Sequence, residues 1–320
     1  MSAGSTIHEP LSAITGRMDY FLGIDGGGTK TMFVLGDYAH LIATETAAGS
    51  NVVRLGEQKA RIAIEKGVRS VCRKAGTQAE HIVAVCAGVG GAAQDSTRVQ
   101  ITKILAEMIP GKILVVGDMV VAHEAALEGG PGIVVIAGTG SIAYGRNESG
   151  GTARAGGWGY MISDEGSGHW IGLQAVAAIA RAMESNARTE LGDRVHQEWQ
   201  LKSFDDLILR ANASPVADFA GLFPAVLATE GKDPDAREIL EEAGTQLAAL
   251  AESVYRRLWR DNRRVNIAMS GGVFQNSQTV RQAFCDAWEG TGLKPHIRLS
   301  QKTPAEGALL LARKLVSTDG

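Results

Sequence analysis

Asp25 is followed by three glycines, a threonine and a lysine, Gly26-Gly27-Gly28-Thr29-Lys30, at the end of the apolar run Phe21-Leu22-Gly23-Ile24. Glycine has no Cβ, so successive main-chain N–H groups can close on a phosphate and the backbone can take φ > 0 in a tight turn. Asp25 is the residue type that holds hydrated Mg²⁺, because that ion keeps several waters and takes only one or two carboxylates. The same run also reads as a plain glycine-rich β-hairpin. It is not a P-loop, since no G-x-x-x-x-G-K-[ST] occurs. Nor is it a dinucleotide fingerprint, because the run lacks G-x-G-x-x-G and opens a second strand rather than a helix.

Further places pair chemistry with position. Asp118 follows an apolar strand and Gly117 and stands immediately before a helix. Ligands gather at such strand ends in open α/β sheets, while Asp is also a common helix N-cap. Ala137-Gly138-Thr139-Gly140-Ser141 is a second glycine turn between apolar strands, and Ser270-Gly271-Gly272-Val273 is a third corner. Asn51, after Gly49-Ser50, reads as a turn asparagine. Trp158, in Gly156-Gly157-Trp158-Gly159, reads from its type alone as core filling. Asp164 can accept two hydroxyl hydrogens, and Glu165 beside it reads as a cap for the helix beginning near Ser167.

The elements that must position these residues follow from apolar spacing. Strands are expected over 20–26, 31–36 and 40–46, a helix over 57–73, a strand over 81–89 and a helix over 97–108. A strand over 112–116 leads through Gly117 to Asp118 and a helix over 119–128. Gly129-Gly130-Pro131-Gly132 reads as a hinge. The second half restarts with strands over 133–137 and 142–146 around the glycine turn, an internal repeat of strand, turn and strand. Residues 165–260 are mostly helical, followed by a strand over 265–269, one helix over 274–288 and a terminal helix over 304–316.

Composition limits the function classes. The 320 residues suffice for two cores, and 45% hydrophobic with 21% charged residues is ordinary for a soluble globular protein. A net charge of −3 without a basic stripe argues against nucleic acid as a partner. Three cysteines, Cys72, Cys86 and Cys285, show no C-x-x-C spacing and fit a reducing cytoplasm. No Cys/His cluster suggests zinc, and His123, one turn beyond Asp118, reads as a surface or packed histidine. Residues 1–18 read as a flexible tail rather than a signal peptide, and no apolar run reaches membrane-span length.

The order DGGGTKT, Asp118, AGTGS and SGGV resembles the actin/hexokinase/Hsp70-type ATPase fold. Gly156-Gly157-Trp158-Gly159-Tyr160 followed by Asp164-Glu165-Gly166-Ser167-Gly168 is similar to the BadF/BadG/BcrA/BcrD-type ATPase family, in its N-acetylglucosamine kinase branch. The resemblance covers roughly residues 19 to 314. It implies an α/β, two-lobed, ribonuclease H-like fold with a helix-flanked mixed sheet in each lobe. The lobes would be 19–130, joined by the terminal helix 304–320, and 131–303 with a helical insertion over about 165–262.

The resemblance also implies roles. ATP would lie between the lobes. Gly26, Gly27, Gly28, Thr29 and Lys30 would form the first phosphate loop, with Asp25 on Mg²⁺. Gly138, Thr139 and Gly140 would form the second, and Gly271 and Gly272 would face the adenosine. Asp118 would bind the sugar and take the proton from its 6-hydroxyl, and Asn51, Gly157, Trp158 and Asp164 would complete the sugar pocket. The implied activity is ATP-dependent phosphorylation of N-acetylglucosamine or a close amino sugar, in a protein that is frequently a homodimer in the resembling family. Two alternatives stay open: a kinase of glucosamine or N-acetylmuramic acid, and an ATPase driving electrons into a reductase or dehydratase. The second needs cysteines for an iron–sulfur cluster near the lobe junction, and none lies between Asp118 and Asp164.

Overall fold

The computed structural model describes residues 18–92, 94–213, 217–261 and 263–317. The tail read over residues 1–18 lies outside the described residues as far as residue 17. The chain divides into two compact units, one ending at Glu128 and taking in the chain again from Lys302, the other spanning Gly129–Gln301.

Unit 1 contains β1 (Tyr20–Gly26), β2 (Lys30–Gly36), β3 (Leu41–Ala48), β4 (Ile82–Val89) and β5 (Lys112–Gly117) in the order β3-β2-β1-β4-β5. The β1–β2–β3 pairs are antiparallel, and β1, β4 and β5 are parallel. Its helices are α1 (Val52–Leu55), α2 (Glu57–Lys74), α3 (Asp95–Ala106), α4 (Asp118–Leu127) and α12 (Pro304–Ser317). Successive strand residues point to opposite faces, and both faces are buried. Leu22, Ile24, Val85 and Ala87 pack with α2 and α3, whereas Phe21, Ala84 and Cys86 pack with α4 and α12. Glycine lets the second layer come close. A Cβ on Gly23 would stand 2.2 Å from Ala305 O, and one on Gly307 would stand 2.0 Å from Val121 O. His123 is packed inside α4, at 2% exposure.

Unit 2 repeats the plan. β6 (Gly132–Ala137), β7 (Ser141–Arg146), β8 (Thr152–Gly156), β9 (Asn266–Ser270) and β10 (His296–Leu299) lie in the order β10-β9-β6-β7-β8. The first three are antiparallel neighbours, and β6, β9 and β10 are parallel. Between β8 and β9 come α5 (Gly168–Glu184), α6 (Glu190–Trp199), α7 (Phe204–Ala211), α8 (Phe223–Thr229) and α9 (Pro234–Leu258). Their apolar faces and the sheet form one core that includes Ile133, Val135, Ile171, Leu240, Leu247 and Tyr255.

Two expectations are corrected here. The single helix read over 274–288 is two, α10 (Gly272–Asn276) and α11 (Gln278–Asp286). Ser277 breaks them apart with extended dihedrals, φ −110° and ψ 116°, and its Oγ accepts the Val280 N–H at 3.1 Å to start the second helix. The cap of α5 is Ser167, whose Oγ accepts the Trp170 N–H at 3.2 Å, and not Glu165.

Candidate active site

In unit 1 the sheet register gathers the candidate residues. Gly26 pairs with Val89, and Val89 with Gly117, so one row crosses the three parallel strands at their carboxyl ends. Asp25 lies beside that row in β1, Gly90 just after β4, and Asp118 just after β5. The β1–β2 turn closes through the Gly27 N–H, which donates to Lys30 O at 3.0 Å. Gly27 O accepts from the Ser50 and Asn51 N–H groups at 3.1 and 3.3 Å, which ties the segment after β3 to the glycine turn. The buried Thr31 Oγ1 donates to Ser50 Oγ at 2.9 Å and adds to that tie. Thr29 and Lys30 are exposed at the mouth of the turn.

Asn51 is the N-cap of α1, its Oδ1 accepting the Arg54 N–H at 3.1 Å. Its Nδ2 therefore points elsewhere as a donor. A Cβ built on Gly90 would lie 2.8 Å from Asn51 Nδ2 and 3.5 Å from Asp118 Oδ2. Asp118 is the first residue of α4, after Gly117 in the cap position. Its Oδ1 accepts the Met119 N–H at 2.9 Å, leaving Oδ2 turned toward Gly90. A donor and an acceptor thus converge on the space that Gly90 leaves open. A hydroxyl group both accepts and donates, and it fits that pair.

The acids of this edge are under strain. Burial pushes Asp25 up to about 7, the neighbouring Asp118 carboxylate adds to the rise, and Lys30 opposes it. Burial raises Asp118 as well, while the amide hydrogen bonds of Met119 and Asp118 itself pull it back. Each is the response of a carboxylate denied water.

Unit 2 carries the second glycine turn between β6 and β7, closed by the Gly138 N–H donating to Gly140 O at 2.9 Å. The start of α5 abuts it: the Gly168 and His169 N–H groups donate to Gly138 O at 2.8 Å and Thr139 O at 3.2 Å. Asp164 is 8% exposed and holds φ 77°, a left-handed conformation uncommon outside glycine. Its Oδ1 accepts the Ser141 N–H at 3.3 Å, and a Cβ on Gly140 would come 2.8 Å from its Oδ2. Ser141 Oγ donates to Glu165 O at 2.7 Å. Asp164 therefore braces the glycine turn. Burial lifts its pKa, the Ser141 N–H opposes that, and Glu165 adds to it.

Gly271, at φ 96°, caps α10, and a Cβ there would stand 2.3 Å from Ala137 O. The Ser270–Gly272 corner is thus in contact with the residue preceding Gly138. Trp158 is 59% exposed and so is not core filling; the Arg154 guanidinium lies over its ring, 4.0 Å from the centroid. Gly157, at φ 70°, presses on Ile142, where a Cβ would come within 2.7 Å of Cδ1. Cys72 and Cys86 are buried in unit 1 and Cys285 lies in α11. Two residues of the unit 1 edge escaped the sequence reading. Gly90 carried a signal, a Gly-Gly pair directly after an apolar strand; Arg54, whose guanidinium lies over Gly28, carried none.

Comparison with known proteins matches this arrangement. The family model of the BadF/BadG/BcrA/BcrD ATPases fits residues 22–312. The chain is 33% identical over 306 residues to the N-acetylmuramic acid/N-acetylglucosamine kinase of Clostridium acetobutylicum, covering 92% of this chain and 99% of that one. It is 30% identical over 311 residues to the N-acetyl-D-glucosamine kinase of Dictyostelium discoideum, covering 92% and 98%. A solved structure from Chromobacterium violaceum, provisionally assigned as an N-acetylglucosamine kinase, superposes with a TM-score of 0.76 at 26% identity, covering 92% of this chain and 99% of that one. Two mixed five-stranded sheets flanked by helices, each with a glycine turn at its first hairpin, are the actin-like ATPase architecture. The chain belongs to the BadF/BadG/BcrA/BcrD ATPase family.

Proposed function

We propose that the chain is an ATP-dependent kinase of N-acetylglucosamine or a close amino sugar, acting on the 6-hydroxyl with Mg²⁺. The observation that carries the reading is the convergence of Asn51 Nδ2 and Asp118 Oδ2 on the space at Gly90. Asn51 donates to the acceptor hydroxyl and orients it. Asp118 accepts its proton as the hydroxyl oxygen bonds to the terminal phosphorus and the bridging P–O bond of ATP breaks, with ADP leaving. A raised Asp118 pKa is that of a base closer to its working range. Phosphoryl transfer asks the protein mainly for position and charge stabilisation, and two glycine turns, one per unit, supply main-chain amides for phosphates. We assign Gly26–Lys30 and Gly138–Gly140 to that duty, Asp164 to bracing the second turn and contacting the sugar, Gly157 and Trp158 to the sugar, and Gly271 and Gly272 to the adenosine.

The residues present suit Mg²⁺. Asp25, held near 7 by burial and by Asp118, is an acid whose crowding a cation relieves. Among the described residues no group of three or more His, Cys, Asp or Glu is placed to hold a metal, and Mg²⁺ asks for only one or two carboxylates beside water and phosphate. When bound, the ion would neutralise phosphate charge. The three free thiols accord with a cytoplasmic setting, and no helix among the described residues is long and apolar enough to cross a membrane.

A coupled ADP-release assay over N-acetylglucosamine, N-acetylmuramic acid, glucosamine, N-acetylmannosamine and glucose tests the reading. Turnover should require Mg²⁺ and favour acetylated amino sugars over glucose, because a site built to bond a substituent rejects analogues lacking it. ATP hydrolysis indifferent to every sugar would overturn it.

A further inference from the structure

Arg54 sits in α1, three residues beyond Asn51, and its side chain folds back over the first glycine turn. A Cβ on Gly28 would stand 3.0 Å from Arg54 Nη1 and 3.1 Å from Cδ. Gly28 therefore serves the turn in a second way, by leaving the surface on which Arg54 rests. No carboxylate among the described residues pairs with this guanidinium, in contrast to Arg61, Arg188 and Arg256. The Arg54 backbone N–H is already engaged by Asn51 Oδ1, so the helix that orients Asn51 also sets the root of the arginine.

A guanidinium offers planar paired donors that match phosphate oxygens, and it keeps its charge at any working pH. Arg54 stands on the turn whose amides suit a phosphate and on the same short segment as the residue facing the acceptor space. Among the phosphates of a nucleotide, the one closest to the acceptor is the one transferred. We propose that Arg54 contacts the terminal phosphate of ATP and stabilises its charge during transfer, as a further catalytic residue. This rests on the kinase reading above. It makes Arg54 a group that distinguishes triphosphate from diphosphate, which also favours release of ADP.

The test is calorimetric titration of the full chain with Mg²⁺ and the non-hydrolysable β,γ-imido analogue of ATP, and separately with ADP, without sugar. Arg54→Gln should weaken the analogue about 10- to 100-fold, the worth of a charged hydrogen-bonding contact, and leave ADP within about twofold. Arg54→Lys should recover part of the loss, as a point charge without the fork. Under steady state, Arg54→Gln should lower kcat while the sugar KM stays near the parent value. Equal losses for analogue and ADP, or no loss for either, overturn the assignment. A parent chain that binds the analogue but phosphorylates no amino sugar defeats the kinase reading alone. A parent that binds neither nucleotide overturns both.

Discussion

Asp118 divides its two oxygens between two tasks, one on the Met119 amide and one facing Gly90. Asp118→Asn keeps the shape and an acceptor for Met119 but cannot take a proton. We expect kcat to fall about 10²- to 10⁴-fold, the range of general-base assistance, with thermal stability and nucleotide affinity near the parent. A folded variant with parental kcat would remove Asp118 from the chemistry. Gly90→Ala puts a methyl against Asn51 Nδ2, at a φ outside the left-handed region. Its sugar KM should rise about tenfold or more, the cost of one displaced hydrogen bond and lost space, without change in nucleotide affinity. Steady-state kinetics with varied sugar decide this, and an unchanged KM would show that the acceptor does not use that space. Asp25 and Asp118 stood out because carboxylates at strand ends are visible in a sequence, whereas Asn51 was singled out by the resemblance. Gly90 and Arg54 gain their meaning only when the parallel register sets 90 beside 118, the Gly27 carbonyl holds 51 near them and a long side chain doubles back, and no local pattern encodes these.

At the scale of elements, close packing of small residues sets how α12 lies on β1 and α4. Gly23→Ala would place a methyl 2.2 Å from Ala305 O and 2.4 Å from Leu309 N, both backbone atoms of α12. Overpacking of that kind costs about 1–3 kcal/mol or more, because a helix must shift as a body. The urea midpoint of Gly23→Ala should drop clearly below that of the parent; an equal midpoint would mean that β1 and α12 are not in this contact in solution. The hairpins and long amphipathic helices were legible from period and glycine placement. β8 was not, because in Thr152-Ala153-Arg154-Ala155-Gly156 the alternating apolar positions are only alanines, a weak strand signal. β10 is four residues, none of them buried. The α10–α11 break was hidden because helical spacing continues across Ser277, and only the serine's extended backbone and cap reveal it.

At the scale of the molecule, two units repeat one plan, and the second adds four helices, α5 to α8, between its third strand and α9. The repeat was visible as strand, glycine turn and strand in each half; the helical addition carries no motif that names a ligand. One titration connects the unit 1 edge to the stability of the whole chain. Asp25 is raised from 3.8 to about 7 by burial first and Asp118 second. Below about pH 4 folded and unfolded chains both hold that proton, so the group costs nothing. Between there and about pH 7 the unfolded chain releases a proton that the folded chain keeps, and stability falls as pH rises; above about pH 7 the full cost is present. A divalent cation at Asp25 offsets that cost only where the carboxylate is charged. Thermal unfolding at constant ionic strength should therefore show Mg²⁺ raising Tm more at about pH 8 than at about pH 5, with the difference lost in Asp25→Asn. Equal Mg²⁺ stabilisation at both pH values, or a difference that survives in Asp25→Asn, would take the cation away from this residue.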